Sequence, residues 1–306
     1  MSVLPTTEPE CLKGVSPDVE VSIEARMRDL GEGLLVRRLL PSRARRAVGP
    51  FIFFDHLGPA VFAPGSVADI RPHPHIGLAT LTYVFEGEMV HRDSLGSVQP
   101  IRPGEINWMA AGRGIVHSER TPPELRASGF RLHALQVWVA LPAPRQEDEP
   151  AFFHIGAEEI PEIAGRGVRL RVLAGAAYGK TSPLLIPSPL FYVDVEMAAG
   201  SALPLIEGPE ERAAYVASGT IRCGAEAAGA GKMLVFASGA RGEIIADSES
   251  RLVLFGGAPL DGPRHLLWNF ASTSQARLEQ AARDWKEGRF PKIPGDETEF
   301  VPFPEP

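Results

Sequence analysis

The sequence predicts an all-β protein built as two domains in tandem and closed by one short helix. Three observations carry that reading. Short apolar runs recur along the chain, and its 31 glycines and 29 prolines are spread between them as punctuation, not pooled in a low-complexity tract. The composition shifts abruptly at PAPRQEDEP, residues 142–150, which has no apolar run and reads as a linker. Only one stretch, near the end, repeats its apolar residues at helical spacing.

In chain order, strands are predicted at 19–25, 34–40, 51–54, 79–85, 89–92, 106–109 and 130–140, most of them bounded by Gly, Pro or Asp. Glu86 and Gly87 read as a hairpin turn between two of these. After the linker a second series follows at 168–173, 190–196, 213–217, 233–237 and 252–255. The domains are therefore expected at 1–141 and 151–306. In STSQARLEQAARDWKEG, Leu278, Ala281, Ala282 and Trp285 fall at i, i+3, i+4 and i+7. Ser272 or Ser274 is available as N-cap and Gly288 as the stop, which predicts a packing helix over 274–288. The tail PKIPGDETEFVPFPEP reads as an ordered strap or as coil, and propensity does not choose between them.

Composition excludes several classes. A chain of 306 residues with 44% apolar and 23% charged residues is ample for a core and unlike a disordered chain. Its 38 acidic residues outnumber 31 basic ones, for a net charge of −7, which argues against direct nucleic-acid binding despite the short basic run Arg43–Arg46. Cys11 and Cys223 are too far apart for a CxxC site or a disulfide framework, so a reducing compartment is the simpler reading. No secretory signal opens the sequence and no window has the apolar length of a membrane span. The expectation is a cytoplasmic protein without a membrane partner. There is no GxSxG, Walker loop or GxGxxG to support hydrolase or nucleotide chemistry.

Chemistry is concentrated in the first half, which holds six of the eight histidines. Two lie in His73-Pro74-His75 and a third opens His117-Ser118-Glu119. Residues i and i+2 of an extended segment project from one face, so each triplet can present two ligands to the same side of a sheet. Together they offer three nitrogens and one oxygen. Imidazole and carboxylate without thiolate suit a divalent first-row ion such as iron, manganese, cobalt, nickel or zinc, and argue against a structural zinc site. Pro72 and Pro74 remove two backbone donors, which predicts an edge or a stiff extended segment for His73. Gly112 and Gly114 permit a bend that would bring the second triplet back under the first. Trp108 and Met109 are expected to wall the pocket. His91 is expected to hydrogen-bond behind the ligands, His133 to sit in a core or interface, and His56 to make a structural hydrogen bond.

The stretches HPHIGLATLTYVFEGEMVHRDSLG (73–96) and IRPGEINWMAAGRGIVHSER (101–120), with the tail from NFASTSQARL to EFVP, resemble the pirin family of the cupin superfamily. The resemblance implies a bicupin: two jelly-roll-like, double-stranded β-helix barrels, with metal only in the N-terminal one. It places the family's ligands on His73, His75, His117 and Glu119. The general cupin pattern expects a Glu shortly after HxH, where this chain has Ala79 and Thr80, and Glu119 supplies the carboxylate instead. The second half has only His154 and His265 and no HxH, so its barrel is expected to be metal-free and to close one side of the pocket.

The resemblance further implies one divalent transition metal, iron first, with Mn, Co, Ni, Zn or Cu as alternatives. The function it implies is that of a metal-dependent oxygenase, cleaving a flavonol-like enol with dioxygen in the manner of a quercetin 2,3-dioxygenase. Glu119 would be the catalytic residue that accepts the hydroxyl proton. The competing reading is a non-enzymatic metal- or redox-sensing regulatory protein acting through a protein partner.

Overall fold

The computed structural model describes residues 11–13, 17–30 and 34–305, the first three by backbone only. Its strands form two barrels, each a large antiparallel sheet facing a small one. In the first, the large sheet runs in the order Ala151–Ile155, Ile106–Ala110, Leu78–Glu86, Phe130–Ala140, Phe51–Phe62, Leu35–Leu40, Arg26–Asp29. The small sheet facing it runs Ile70–His75, Ile115–Arg120, Met89–Asp93, Val98–Ile101. The second barrel repeats the plan, with Lys232–Phe236, Glu211–Ser218, Ser250–Gly257, Leu190–Met197 and Val168–Ala177 at the centre of its large sheet.

The near-continuous apolar strands are explained by burial on both faces. In Phe130–Ala140, Leu135, Val137 and Val139 belong to a core shared between the barrels, while Gln136 and Trp138 face a cavity inside the first. The shared core is aromatic at its centre. Phe255 of the second barrel lies 5.1 Å, centroid to centroid, from both Phe51 and Phe54 of the first. Tyr215 packs on Phe54 at 4.9 Å, and the Tyr83 hydroxyl donates to Asp194 at 2.7 Å. The interior of the second barrel is filled by apolar side chains such as Val193, Ile221, Leu234 and Leu252.

Pairing crosses the expected boundary between residues 141 and 151 in both directions. Val19–Glu24 lies in the large sheet of the second barrel, with Val21 opposite Val235. Ala151–Ile155 lies in that of the first, with Phe153 opposite Trp108. The 142–150 segment is an ordered corner, because Gln146 is buried and accepts from the Thr273 amide at 2.8 Å. Glu86-Gly87 is also not the expected hairpin. The strands on either side enter different sheets, and Gly87, at φ 91°, turns the corner where a Cβ would meet the Arg131 carbonyl. The helix spans Gln275–Lys286, with Ser274 as its cap, and buries Leu278, Ala281 and Ala282. The tail is a strap: the Val301 amide donates to the Pro72 carbonyl, and Asp296 receives Ser118 and Arg120 from the outer side of a ligand-bearing strand. Among the described residues no helix is long and apolar enough to cross a membrane.

His56 and His133 give the inter-barrel interface a pH dependence. Their Nε2 atoms lie 2.6 Å apart and His56 Nδ1 lies 2.5 Å from the Tyr215 hydroxyl. Burial lowers His56 from 6.5 to about 2 and His133 from 6.5 to about 4. Both are neutral when folded, whereas the unfolded chain takes up protons below about 6.5. Their contribution to stability is therefore complete above that pH and declines as the pH falls toward 4. Thermal melts between these limits should show the decline, with a shallower slope for His133→Gln; an unchanged slope would dissociate the pair from acid sensitivity.

Candidate metal centre

The two ligand triplets are neighbours because their strands pair. Ile115–Arg120 runs antiparallel to Ile70–His75, with His117 opposite His73 and Ile115 opposite His75. Ile70–His75 is an edge strand, as its two prolines predict. Gly112 turns the chain at φ 49°, where a side chain would collide with the Asp148 carbonyl. As a result the ligand nitrogens of His73, His75 and His117 all lie within 4.8 Å of one another, on three buried side chains.

Their outer nitrogens decide which lone pairs face inward. His73 Nδ1 lies 2.9 Å from the Arg71 carbonyl and His75 Nδ1 3.0 Å from the Asn269 carbonyl, so in both rings Nδ1 carries the hydrogen. His117 is set through a relay. The His91 Nε2–H donates to Asp93 at 3.0 Å, leaving its Nδ1 as acceptor for the His117 Nδ1–H at 3.5 Å. Each of the three rings is thus left with a bare Nε2. His75 and His117 hold these atoms 3.1 Å apart with no proton between them in this pattern, an arrangement that a cation relieves. Burial holds His73 down to about 4 and the other two well below the ordinary histidine range, which keeps the rings neutral and able to ligate. The donor set therefore fits a divalent transition ion, and it is the one such histidine cluster among the described residues.

His91 also stacks on Phe152 at 4.3 Å and 10°, so it is fixed from two sides. His91→Ala is expected to weaken metal binding by about 10- to 100-fold, because His117 loses the acceptor that sets its tautomer. Competition with a chromogenic chelator measures this; wild-type affinity in the variant would remove the relay.

Glu119 does not join the 4.8 Å cluster. It is buried beside it, and its Oε1 accepts from Gln136 Nε2 at 3.1 Å. Thr82 donates its hydroxyl to Gln136 Oε1 at 2.5 Å and so fixes the orientation of the amide. Burial pushes the Glu119 carboxyl up to about 7 despite that hydrogen bond. Gln136 and Thr82 belong to a polar row crossing the large sheet, in which Arg26, Arg38, Asp55, Gln136, Thr82, Asn107 and His154 stand opposite one another in turn.

His73 and Glu119 open into a cavity of about 330 Å³. Its wall differs from the expected one. Trp108 belongs to the core shared between the barrels, and Met109 packs with Ala111, Ile115 and Phe152. Successive strand residues point to opposite faces, so the two could not line one wall together. Phe53 and Trp138 line it instead, stacked at 3.9 Å, with Trp138 edge-on to His75 at 5.1 Å. The sequence signal for them is the polar Gln136, two positions before Trp138 in the otherwise apolar run 134–140. The second barrel contributes none of the lining. Leu266, Trp268 and Asn269, from the segment before the helix, and Val301, from the tail, close that side. His56 and His133 lie at the inter-barrel interface, and His154 bonds Asn107 at the far end of the polar row.

Comparison with known proteins agrees with this geometry. The pirin family model matches residues 33–139 and the model for the pirin C-terminal cupin domain matches residues 192–291. A pirin-like protein of Caulobacter vibrioides is 47% identical over 291 residues, covering 94% of this chain and 100% of the relative. Among solved structures, a quercetin 2,3-dioxygenase from Acinetobacter baumannii is similar at 34% identity and a TM-score of 0.87, over 93% of this chain and 95% of the other. The fold is shared with the Escherichia coli bacterial pirin YhhW, solved in complex with nickel(II), at 22% identity and a TM-score of 0.62, over 78% of this chain and 99% of the other.

Proposed function

The chain belongs to the pirin family, and from that premise we propose that it is a metal-dependent oxygenase for a flavonol-like enol, using dioxygen for ring cleavage of the quercetin 2,3-dioxygenase type. The observation that carries the reading is the convergence of three unprotonated imidazole nitrogens beside a cavity that also holds a buried carboxyl. The similarity to the Acinetobacter baumannii enzyme supports it. His73, His75 and His117 would hold the ion, iron first and Mn, Co, Ni, Zn or Cu as alternatives, with Glu119, which stands beside their cluster, as a fourth ligand that can leave the ion to act as base. When bound, the ion would supply Lewis-acid chemistry and, if redox-active, one-electron chemistry.

The chain's own residues account for the rest. Glu119 takes the enol proton on a carboxylate oxygen, and Gln136, itself held by Thr82, keeps that carboxylate aimed into the cavity. Phe53 and Trp138 provide the apolar wall that limits water beside the reacting ring.

The test is aerobic quercetin turnover, followed by absorbance, alongside metal analysis of the same samples. Wild type should turn over and His75→Ala should not. Glu119→Gln should fold and lose about a hundredfold or more in rate. A metal-loaded wild type that leaves quercetin untouched would count against the oxygenase, and a fully active Glu119→Gln would remove Glu119 from the mechanism.

A further inference from the structure

The rim of the cavity carries more positive charge than the fold requires. Arg26, Arg28, Arg38 and Arg46 all line it, in a chain whose net charge is −7. In the strand Arg26–Asp29 the two arginines alternate with exposed Met27 and Asp29, so both turn toward the cavity. Arg26 stands directly opposite Arg38 on the neighbouring strand, an arrangement that is destabilising between like charges. The carboxylate next in the row, Asp55, is already taken, because Arg38 grips it with two hydrogen bonds of 2.8 and 2.7 Å.

Among the described residues no salt bridge closes Arg26, Arg28 or Arg46; Arg28 acts on Asp55 only at longer range, beside the direct grip of Arg38. Other half-buried arginines are treated differently: Arg120 is closed by Asp69 and Asp296, and Arg251 by Asp194. Guanidinium groups left open at the mouth of a cavity are suited to a planar anion, which they meet with paired N–H donors.

We propose that the substrate of this site is a flat hydroxy-aromatic or enolic acid, bound as its carboxylate, with the carboxylate held by Arg26 and Arg28 and the hydroxyl turned toward the histidines and Glu119. The proposal deepens the oxygenase reading and rests on it for the identity of the cavity as a substrate site. The polar ends of the cavity match the two ends of such a molecule. The Phe53–Trp138 stack, which flanks the row running from Arg26 through Arg38 and Asp55 to Gln136, matches its ring.

Calorimetric titration of the metal-loaded full chain with 3-hydroxy-2-naphthoate and with 3-hydroxy-2-naphthamide tests it, since the two share a ring and a hydroxyl and differ in charge. The acid should bind at least about tenfold tighter. That preference should shrink to within about twofold in the Arg26→Gln/Arg28→Gln double variant, with the affinity for the amide unchanged. It should weaken as ionic strength rises from about 0.05 to about 0.5 M. Arg46→Gln, at an exposed position, should lower the preference in a chain whose fold is untouched, and Arg222→Gln on the other barrel should leave it intact. Equal affinity for acid and amide in wild type, absence of binding by either probe, or a preference that survives in both rim variants would overturn the proposal. Because this readout is binding, failure of quercetin turnover with the preference intact would remove the oxygenase and leave an anion-selective cavity. Turnover without the preference would do the reverse.

Discussion

Replacing His117 with alanine should empty the metal centre. His117 faces His75 at 3.1 Å and is the ring through which His91 and Asp93 act, so its loss removes one ligand and disconnects the relay behind it. Altering a residue that merely orients a ligand costs about 10- to 100-fold in affinity, and deleting the ligand should exceed the upper end of that range. Elemental analysis after desalting should find the variant nearly free of transition metal where wild type retains it. His154→Ala, made at the opposite end of the polar row, should keep the wild-type metal content. A His117→Ala protein that retains its metal would show that the converging nitrogens are not the ligands.

The largest effect on stability is expected from Phe255→Ala. Phe255 is fully buried and touches Phe51 and Phe54 across the inter-barrel contact, so truncation leaves a cavity bounded by both halves of the molecule. Such a substitution costs about 3–5 kcal/mol, which for a chain of this size corresponds to a fall in Tm on the order of 10 °C. Because the core is shared, both barrels should melt together, with metal release coinciding with the loss of near-ultraviolet circular dichroism. Two separated transitions, one of them unaffected by the substitution, would mean that the barrels are stabilised independently.

Much of this was legible in the sequence because it is local. Glycine and proline punctuation marks strand ends, so most strands fall near their expected positions, as at Phe130–Ala140 and Leu190–Met197. The i, i+2 spacing puts His73 and His75 on one face, whereas His117 reaches them through strand pairing and Glu119, its own i+2 neighbour, stands outside their cluster. What escaped depends on distant pairing or on parity. Arg26–Asp29, with the sequence RMRD, has no apolar alternation to mark it as a strand, and only its partner Leu35–Leu40 makes it one. The exchange of Val19–Glu24 and Ala151–Ile155 between barrels leaves no local trace, since a strand's sequence records its faces but not which edge it joins. Trp108 and Met109 are neighbours in sequence, but the pleat sends them to opposite faces. Gln136 leaves no mark of its role, because a single amide in an apolar run does not reveal that it holds Glu119.

The exchanged strands set an order on biosynthesis. Val21 leaves the ribosome long before Val235, the residue it must lie beside, so the leading strand waits until most of the chain has emerged. The carbonyl of Asn269 that orients His75, and the Val301 strap across Pro72, arrive later still. The ligand set is thus completed only near the end of translation, and a nascent chain halted after its first barrel would display the histidines without the backbone groups that make them a metal centre.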